Sequence, residues 1–268
     1  MSFVPVLSQS GLQGWNFLSR TASSQREVFS ETGEVSREVE HFKEKISEIK
    51  TAEQLVNDRA LLSVALTAFG LEDDIDNVFL IQKVLTDGSF SDDALANRFS
   101  DKRYLALTKA FGFGDFDVPR TQLSDFPDEI ISSYIEKSFE IAVGNQDEDM
   151  RLALSFDREV LEIASKDSSD DTKWLEVLGN TALKSMVTKS FFLPDGFDSL
   201  DLDKQVETLK SRTAAQYGSS SLDVFLEQDN RDMMRTRFLL ASQLDSASGF
   251  DSASTALTLL QSSVNLSY

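Results

Sequence analysis

Apolar residues along much of the chain recur at intervals of three and four, the period of an amphipathic α-helix. The first clear case covers residues 34–50, where five apolar positions alternate steps of four and three: Val35, Val39, Phe42, Ile46 and Ile49. This narrow seam predicts a helix that packs lengthwise on another helix. Two heptads are too few to indicate a coiled coil.

The next predicted helix opens with Thr51-Ala52-Glu53-Gln54, a Thr-x-x-Gln pattern that can satisfy two unpaired amides at a helix start. Gly70 marks its predicted end. Similar periodicity predicts further helices at residues 74–86, 91–99, 101–111, 128–143, 148–164, 171–191, 199–216 and 230–244. No segment sustains the alternation of a β-strand, so the pattern predicts an all-α fold, a helical bundle built from two related multi-helix units.

The longest break in helical periodicity begins near Gly112 and Gly114 and continues to Pro127. Glycine and proline interrupt helices, so this break predicts a linker near the middle of the chain. The predicted organisation is a first helical unit at 34–113, a linker at 114–127 and a second unit at 128–245.

The two ends of the chain are rich in Ser, Thr and Gln with scattered apolar residues. We therefore expect residues 1–33 to be flexible or ordered by a partner, and residues 246–268 to form a Ser-rich segment with a short helix. In that helix Leu257, Leu260 and Val264 would share one side, which would dock either on a partner helix or on the protein's own core.

An internal repeat supports the prediction of two related units. Sliding the chain by 122 residues aligns residues 60–86 with 182–208 without a gap, and ten of the 27 pairs are identical. On the order of two matches are expected in one such window from ordinary composition. We interpret the match as a duplicated helix–turn–helix unit, the alternative being convergence of two similar amphipathic hairpins.

The charge of the chain limits its partners. Lys and Arg total 26 against 45 Asp and Glu, which gives a formal charge of −19. Such a surface repels the phosphates of nucleic acids and of anionic lipids. We expect protein partners, with no nucleic acid and no direct membrane insertion, and self-association stays open.

The chain has no cysteine, which excludes thiolate catalysis, disulfides and Cys-ligated metal centres within it. Its first residues lack the basic and apolar regions of a secretory signal peptide. The expected location is either the cytoplasm or a destination reached by export without a cleaved signal peptide.

Candidate chemistry is sparse. His41 is the single histidine and lies beside Glu40 and Glu44 at a polar helix position, which favours a solvated surface residue over a catalytic or metal-binding one. Ser47-x-x-Lys50 lacks the companion motifs of the hydrolases that use this pattern. Gly112-x-Gly114 lacks the third glycine of a dinucleotide loop.

Two acidic clusters, at residues 72–76 and 195–203, could gather oxygen ligands around a cation. Neither has the spacing of a calcium-binding loop, and both precede predicted helices, where aspartate is favoured as a cap. In the first cluster Asp73 or Asp76 would cap the helix that carries Leu80 and Val84. The sequence therefore predicts no catalytic, cofactor-binding or metal-binding residues, and no cofactor.

Several stretches together resemble the uncharacterised alphaproteobacterial family known as domain of unknown function 1217. The likeness spans about residues 35–244 and is carried by residues 55–62, 65–71, 96–98, 101–104, 142–144, 150–154, 174–179, 193–194, 200–205 and 237–239. Genes of that family often lie near flagellar genes, so the resemblance implies a role connected with the flagellum. It implies no functional residues.

The function expected from these observations is a non-enzymatic structural or protein-interaction component associated with the bacterial flagellum, with export by the flagellar secretion apparatus as one route. A cytoplasmic chaperone or regulator of flagellar assembly is the first alternative. A carboxylate-dependent hydrolase is the second, because 45 acidic residues leave room for an acid–base pair.

Overall fold

A computed structural model describes residues 3–247 of the protein. Over these residues the chain forms α-helices joined by 3-10 turns and loops, with no β-strand. The predicted all-α fold is therefore confirmed. The predicted docking helix with Leu257, Leu260 and Val264 lies outside the described residues, as does nearly all of the segment 246–268.

The described chain divides into two compact units. Unit 1 contains residues 3–6 and 20–145, and unit 2 contains residues 7–19 and 146–247. The two units therefore divide between Asn145 and Gln146, directly after a helix, and the predicted boundary at 114–127 is wrong.

Thirteen α-helices lie in the described residues. The helix α1, Gly11–Ser30, contributes residues to both units. Seven helices follow it in unit 1: α2 Val35–Lys45, α3 Ala52–Asn57, α4 Arg59–Ala68, α5 Val78–Asp87, α6 Leu95–Arg98, α7 Arg103–Phe111 and α8 Phe126–Gly144. Unit 2 continues with five: α9 Glu148–Ala164, α10 Asp170–Gly179, α11 Thr181–Ser190, α12 Leu202–Tyr217 and α13 Gln228–Ala247.

Residues 3–33 are ordered within the protein, contrary to the prediction that the segment 1–33 is flexible or ordered by a partner. Leu18, Ala22 and Phe29 of α1 are buried at intervals of four and seven, which is a helical stripe in a stretch dominated by Ser, Thr and Gln. The Gln25 side chain also binds both backbone groups of Val6, donating from Nε2 to its carbonyl at 3.1 Å and accepting from its amide at 2.7 Å.

The predicted linker 114–127 packs inside unit 1. Thr121 is fully buried and donates a hydrogen bond to the carbonyl of Ile49 at 2.6 Å, and Gln122 donates to the carbonyl of Ser47 at 2.8 Å. Phe126, at the start of α8, is also buried. The Gly and Pro residues of this stretch therefore shape a packed loop and do not separate two domains.

Units 1 and 2 share one architecture. In unit 1 the central helix α4 packs on α8 and α2, and in unit 2 the central helix α11 packs on α13 and α9. Residues Leu61, Val64, Ala65 and Ala68 of α4 are buried, and so are the residues 122 positions later in α11. The helices α6 and α7 are an addition to unit 1, because α12 of unit 2 leads directly into a 3-10 turn and α13.

The predicted helix 171–191 is broken at Asn180, and the predicted helix that starts at Thr51 is broken at Asp58. Both residues have extended backbones, with φ/ψ of −102°/101° at Asp58 and −94°/110° at Asn180. Their side chains accept the first amides of the next helix. The cap at Thr51 is as predicted, since its side chain accepts the amide of Gln54 at 3.2 Å.

Candidate functional site

His41 is hydrogen-bonded to the helix-capping residue Asp58, its Nε2 lying 3.0 Å from Oδ2. Burial alone would raise the pKa of the Asp58 carboxyl, but hydrogen bonds from the Leu61 amide and His41 outweigh it and lower this pKa below 3.8. Both side chains keep more than a third of their surface exposed. The pair thus joins α2 to the α3–α4 junction of unit 1.

The first acidic cluster binds protein groups. Asp74 accepts hydrogen bonds from Asn77 at 2.7 Å and from the Tyr104 hydroxyl at 2.6 Å, while Asp76 pairs with Arg59 at 2.9 Å. Burial, followed by this contact with Asp74, raises the pKa of Tyr104 to about 12. The predicted capping by Asp73 or Asp76 is wrong, because α5 has Asn77 at its N-cap and no side chain caps it.

The second acidic cluster is more exposed. Asp198 pairs with Lys184 at 2.7 Å, and Asp201 precedes α12 without a side-chain hydrogen bond to its amides. Across residues 3–247, no three His, Cys, Asp or Glu side chains come together as a group that could hold a metal ion.

An open cavity of about 340 Å³ lies in unit 2 between the start of α1 and the helices α9 and α13. Its two carboxylates both have structural partners. Asp147 caps α9 by accepting the Met150 amide at 3.1 Å, and Asp149 pairs with Lys189 at 3.1 Å. The described helices also include none long and apolar enough to cross a bilayer.

The most distinctive surface feature is a pair of phenylalanines on two loops of unit 1. Phe90 is 72% exposed and Phe116 is 48% exposed, and their rings meet edge to face with centroids 5.4 Å apart. Val118, two residues after Phe116 in sequence, is also exposed. Single exposed apolar residues are ordinary, but grouped aromatic side chains are typical of binding surfaces. We call these three residues the aromatic patch.

Asp115 joins the two loops. Its carboxylate accepts the Ser89 amide at 2.5 Å and the Ser89 hydroxyl at 2.8 Å, and it also accepts the Phe90 amide at 3.2 Å. Three donors on one carboxylate hold the backbone that carries Phe90. Phe90 is thereby positioned by the residue adjacent to Phe116.

Two glycines allow the loops to approach closely. A Cβ atom at Gly114 would lie 2.4 Å from both the Gly88 nitrogen and the Thr86 carbonyl oxygen, so only glycine fits there. Gly88 itself has a φ of +73°.

Asn97 holds the other side of the Phe90 loop. Its side-chain amide donates to the carbonyl of Ser89 at 2.8 Å and to that of Ser91 at 2.7 Å. The backbone around Phe90 is therefore held by two side chains. Asp115 accepts its amide N–H groups, and Asn97 donates to the carbonyls of the residues on either side.

The core of unit 1 supports the second loop. Phe111 is fully buried, and its ring contacts Phe113 at 5.6 Å and Phe126 at 5.1 Å between centroids. The chain then turns at Gly112, whose carbonyl accepts the Phe116 amide at 3.1 Å. Phe113 thus packs towards the core while Phe116 stays exposed.

The sequence pattern does not predict this patch, because the Gly-rich stretch around Gly112 and Gly114 has the features of a linker. The available signal is that phenylalanines occur among glycine and aspartate in residues 112–117. Phe90 likewise lies in a polar stretch, between Ser89 and Ser91. Nothing in the pattern shows that the two stretches meet.

The family model described as "Protein of unknown function (DUF1217)" matches residues 68–230. Among solved structures, the chain is similar to a protein from Agrobacterium tumefaciens whose X-ray structure was determined by a structural genomics consortium. The two are 25% identical, the match covers 91% of this chain and 99% of the other, and the TM-score is 0.72. No curated protein matches. Since the family match spans more than half of its 268 residues, the chain belongs to the DUF1217 family of proteins of unknown function.

Proposed function

We propose that the protein is a non-enzymatic interaction component that binds a partner protein through the aromatic patch. The observation that carries this proposal is the exposed ring pair of Phe90 and Phe116 on hydrogen-bonded backbone. Asp115 and Asn97 hold the backbone around Phe90, and the Gly112 carbonyl holds the amide of Phe116. Aromatic side chains dominate the binding energy of many protein interfaces. Because the backbone of the two loops is already held by hydrogen bonds, a partner that binds the rings would cost little conformational entropy of the loops.

The position of the patch in the repeated architecture supports this role. The Phe90 loop precedes α6 and the Phe116 loop follows α7, so the two loops enclose the insertion that unit 2 lacks. Insertions in one copy of a repeat commonly form the binding face of a repeat protein.

For the biological setting we propose flagellar assembly, on the ground that the family resemblance implies it. Two versions remain, an exported component of the flagellum and a cytoplasmic chaperone or regulator. The absence of cysteine is compatible with both. Cell fractionation distinguishes them, because recovery only in the cytosol would exclude the exported component.

The test of the proposed function is site-specific photo-crosslinking in flagellated cells. A crosslinking side chain at position 90 is expected to capture a defined flagellar protein, and a Phe116→Ser change is expected to reduce that product. The matched control places the crosslinker at Phe192, an exposed phenylalanine of unit 2. The same products from both positions, or none from position 90, would refute the proposal.

A further inference from the structure

We infer that the segment that docks on the aromatic patch is basic and amphipathic, with an apolar anchor flanked by Lys or Arg side chains. This inference rests on the proposed function and adds the chemistry of the partner. It follows from the charges that surround Phe90 and Phe116.

The loops that carry the patch have acidic residues as their charged residues. Residues 87–93 and 112–118 contain five aspartates and no Lys or Arg: Asp87, Asp92, Asp93, Asp115 and Asp117. Two of the five are already engaged, since Asp87 pairs with Lys83 at 3.0 Å and Asp115 binds Ser89 and Phe90.

The other three, Asp92, Asp93 and Asp117, are exposed. Their carboxylates have no hydrogen-bond or ion-pair partner in the described part of the chain. Asp92 and Asp93 follow Phe90 by two and three residues, and Asp117 follows Phe116 directly, so exposed negative charge lies next to both rings along the chain. A cationic side chain beside an apolar anchor would meet these carboxylates and the faces of the rings together.

The same charges disfavour the other occupants of an exposed apolar surface. A second copy of this chain would bring another formal charge of −19, and like charges placed together oppose association. Nucleic acids and anionic lipid surfaces carry phosphates that the three aspartates repel. A basic protein segment is the partner class that satisfies both the rings and the carboxylates.

The experiment uses the full-length protein and fluorescent synthetic peptides, with fluorescence anisotropy as the measure of binding. The probe is an amphipathic helix of Leu and Lys. A Leu/Glu helix of the same length and a Ser/Lys peptide without apolar residues are the comparison peptides. We expect the Leu/Lys peptide to bind most tightly, with an affinity that falls as salt is added.

Two sets of variants separate the contribution of the patch to peptide binding from that of the protein's overall charge. The double change Phe90→Ser and Phe116→Ser is expected to weaken binding of the Leu/Lys peptide about tenfold or more. The control is the double change Leu200→Ser and Leu202→Ser at exposed positions of unit 2, which is expected to leave that binding unchanged.

The triple change Asp92→Asn, Asp93→Asn and Asp117→Asn is expected to weaken binding about tenfold and to reduce its salt dependence. Its control makes the same net change in charge at exposed acids of unit 2, through Asp195→Asn, Asp201→Asn and Asp203→Asn. Equal losses in both triples would mean that only total charge matters and would overturn the inference.

The remaining outcomes distinguish this inference from the proposed function. Leu/Glu binding as tight as Leu/Lys binding, no peptide binding at all, or Leu/Lys binding that survives loss of Phe90 and Phe116 would overturn the basic partner. The proposed function would then still be tested separately by the crosslinks from position 90. Far-ultraviolet circular dichroism of every variant confirms that the helices are intact.

Discussion

Asp58 and Asn180 hold the same place in the two units. Each interrupts a stretch that the sequence predicts as one helix, each has an extended backbone, and each caps the following helix with its side chain. Each also contacts the preceding long helix, Asp58 through His41 of α2 and Asn180 through Glu159 of α9 at 3.1 Å. One polar residue therefore fixes the corner between two helices in both units.

Removing either cap is expected to destabilise the protein. Asp58→Ala and Asn180→Ala should each lower the free energy of unfolding by about 1 kcal/mol, because the first amides of the next helix lose their acceptor. Urea unfolding of the variants measures the loss. Asp58→Asn restores a capping acceptor and should recover most of it, and no difference between the Ala and Asn variants would contradict the capping role.

Asp58 is also expected to make stability depend on pH in the acid range. Its pKa in the folded protein lies below 3.8, so folding is favoured when the carboxyl is ionised. This contribution is present above the ordinary pKa and is lost as the pH falls through 3.8 towards the lower folded value. The stability difference between the wild type and Asp58→Asn should therefore shrink in acid, as urea titrations between about pH 5 and 3 would show.

Phe192 is strained at a position where unit 1 has glycine. Gly70 and Phe192 both follow a central helix with positive φ, +69° and +52°, and in both cases the next residue donates back into the helix, Leu71 to Leu66 and Leu193 to Thr188. Phe192 is the single non-glycine residue with positive φ in the described chain.

Phe192→Gly is therefore expected to stabilise the protein by about 1 kcal/mol, because a left-handed L-residue costs roughly 1–2 kcal/mol. Loss of the contact between the Phe192 ring and Arg237, at 5.5 Å, offsets about 0.5 kcal/mol of the gain. Gly70→Ala is the reciprocal test and should destabilise by about 1 kcal/mol. The added Cβ would meet only Arg103, at 3.6 Å, so backbone strain would account for the loss.

Asp115 is expected to control the order of the Phe90 loop. Asp115→Ala removes the acceptor of the Ser89 and Phe90 amides, so both amides should exchange with solvent faster in hydrogen-exchange measurements. The amide of Leu107, inside α7, is the internal reference and should keep its protection. Unchanged exchange at residues 89 and 90 would show that other contacts hold the loop.

Gly114→Ala is expected to separate the two loops and destabilise unit 1 by about 1–3 kcal/mol, because the new Cβ would overlap the backbone at Gly88 and Thr86. Gly196→Ala is the matched control, since a Cβ there meets nothing within 4 Å. Thermal unfolding of both variants checks the prediction, and a similar small effect for the two would mean that the loops are not in close contact.

The aromatic patch shows why the candidate site was beyond sequence reasoning. Phe90 and Phe116 lie 26 residues apart, and periodicity gives each a helical or loop assignment without indicating that the two meet. The contact depends on Asp115 reaching the Ser89 backbone and on Gly114 lying against Gly88. These are long-range hydrogen bonds and close approaches, which leave no local signal in the sequence.

The spacing of apolar residues by itself determined the all-α class, most helix positions and the relation between residues 60–86 and 182–208, because these follow from short-range period and direct comparison. Only the tertiary structure decided that the chain divides after Asn145, that the N-terminal stripe of Leu18 and Phe29 is buried, and that residues 114–127 belong inside unit 1. The physical reason is that these outcomes depend on the buried surfaces and hydrogen bonds that distant segments share. A local pattern of polar and apolar residues does not specify which distant segment a given segment contacts.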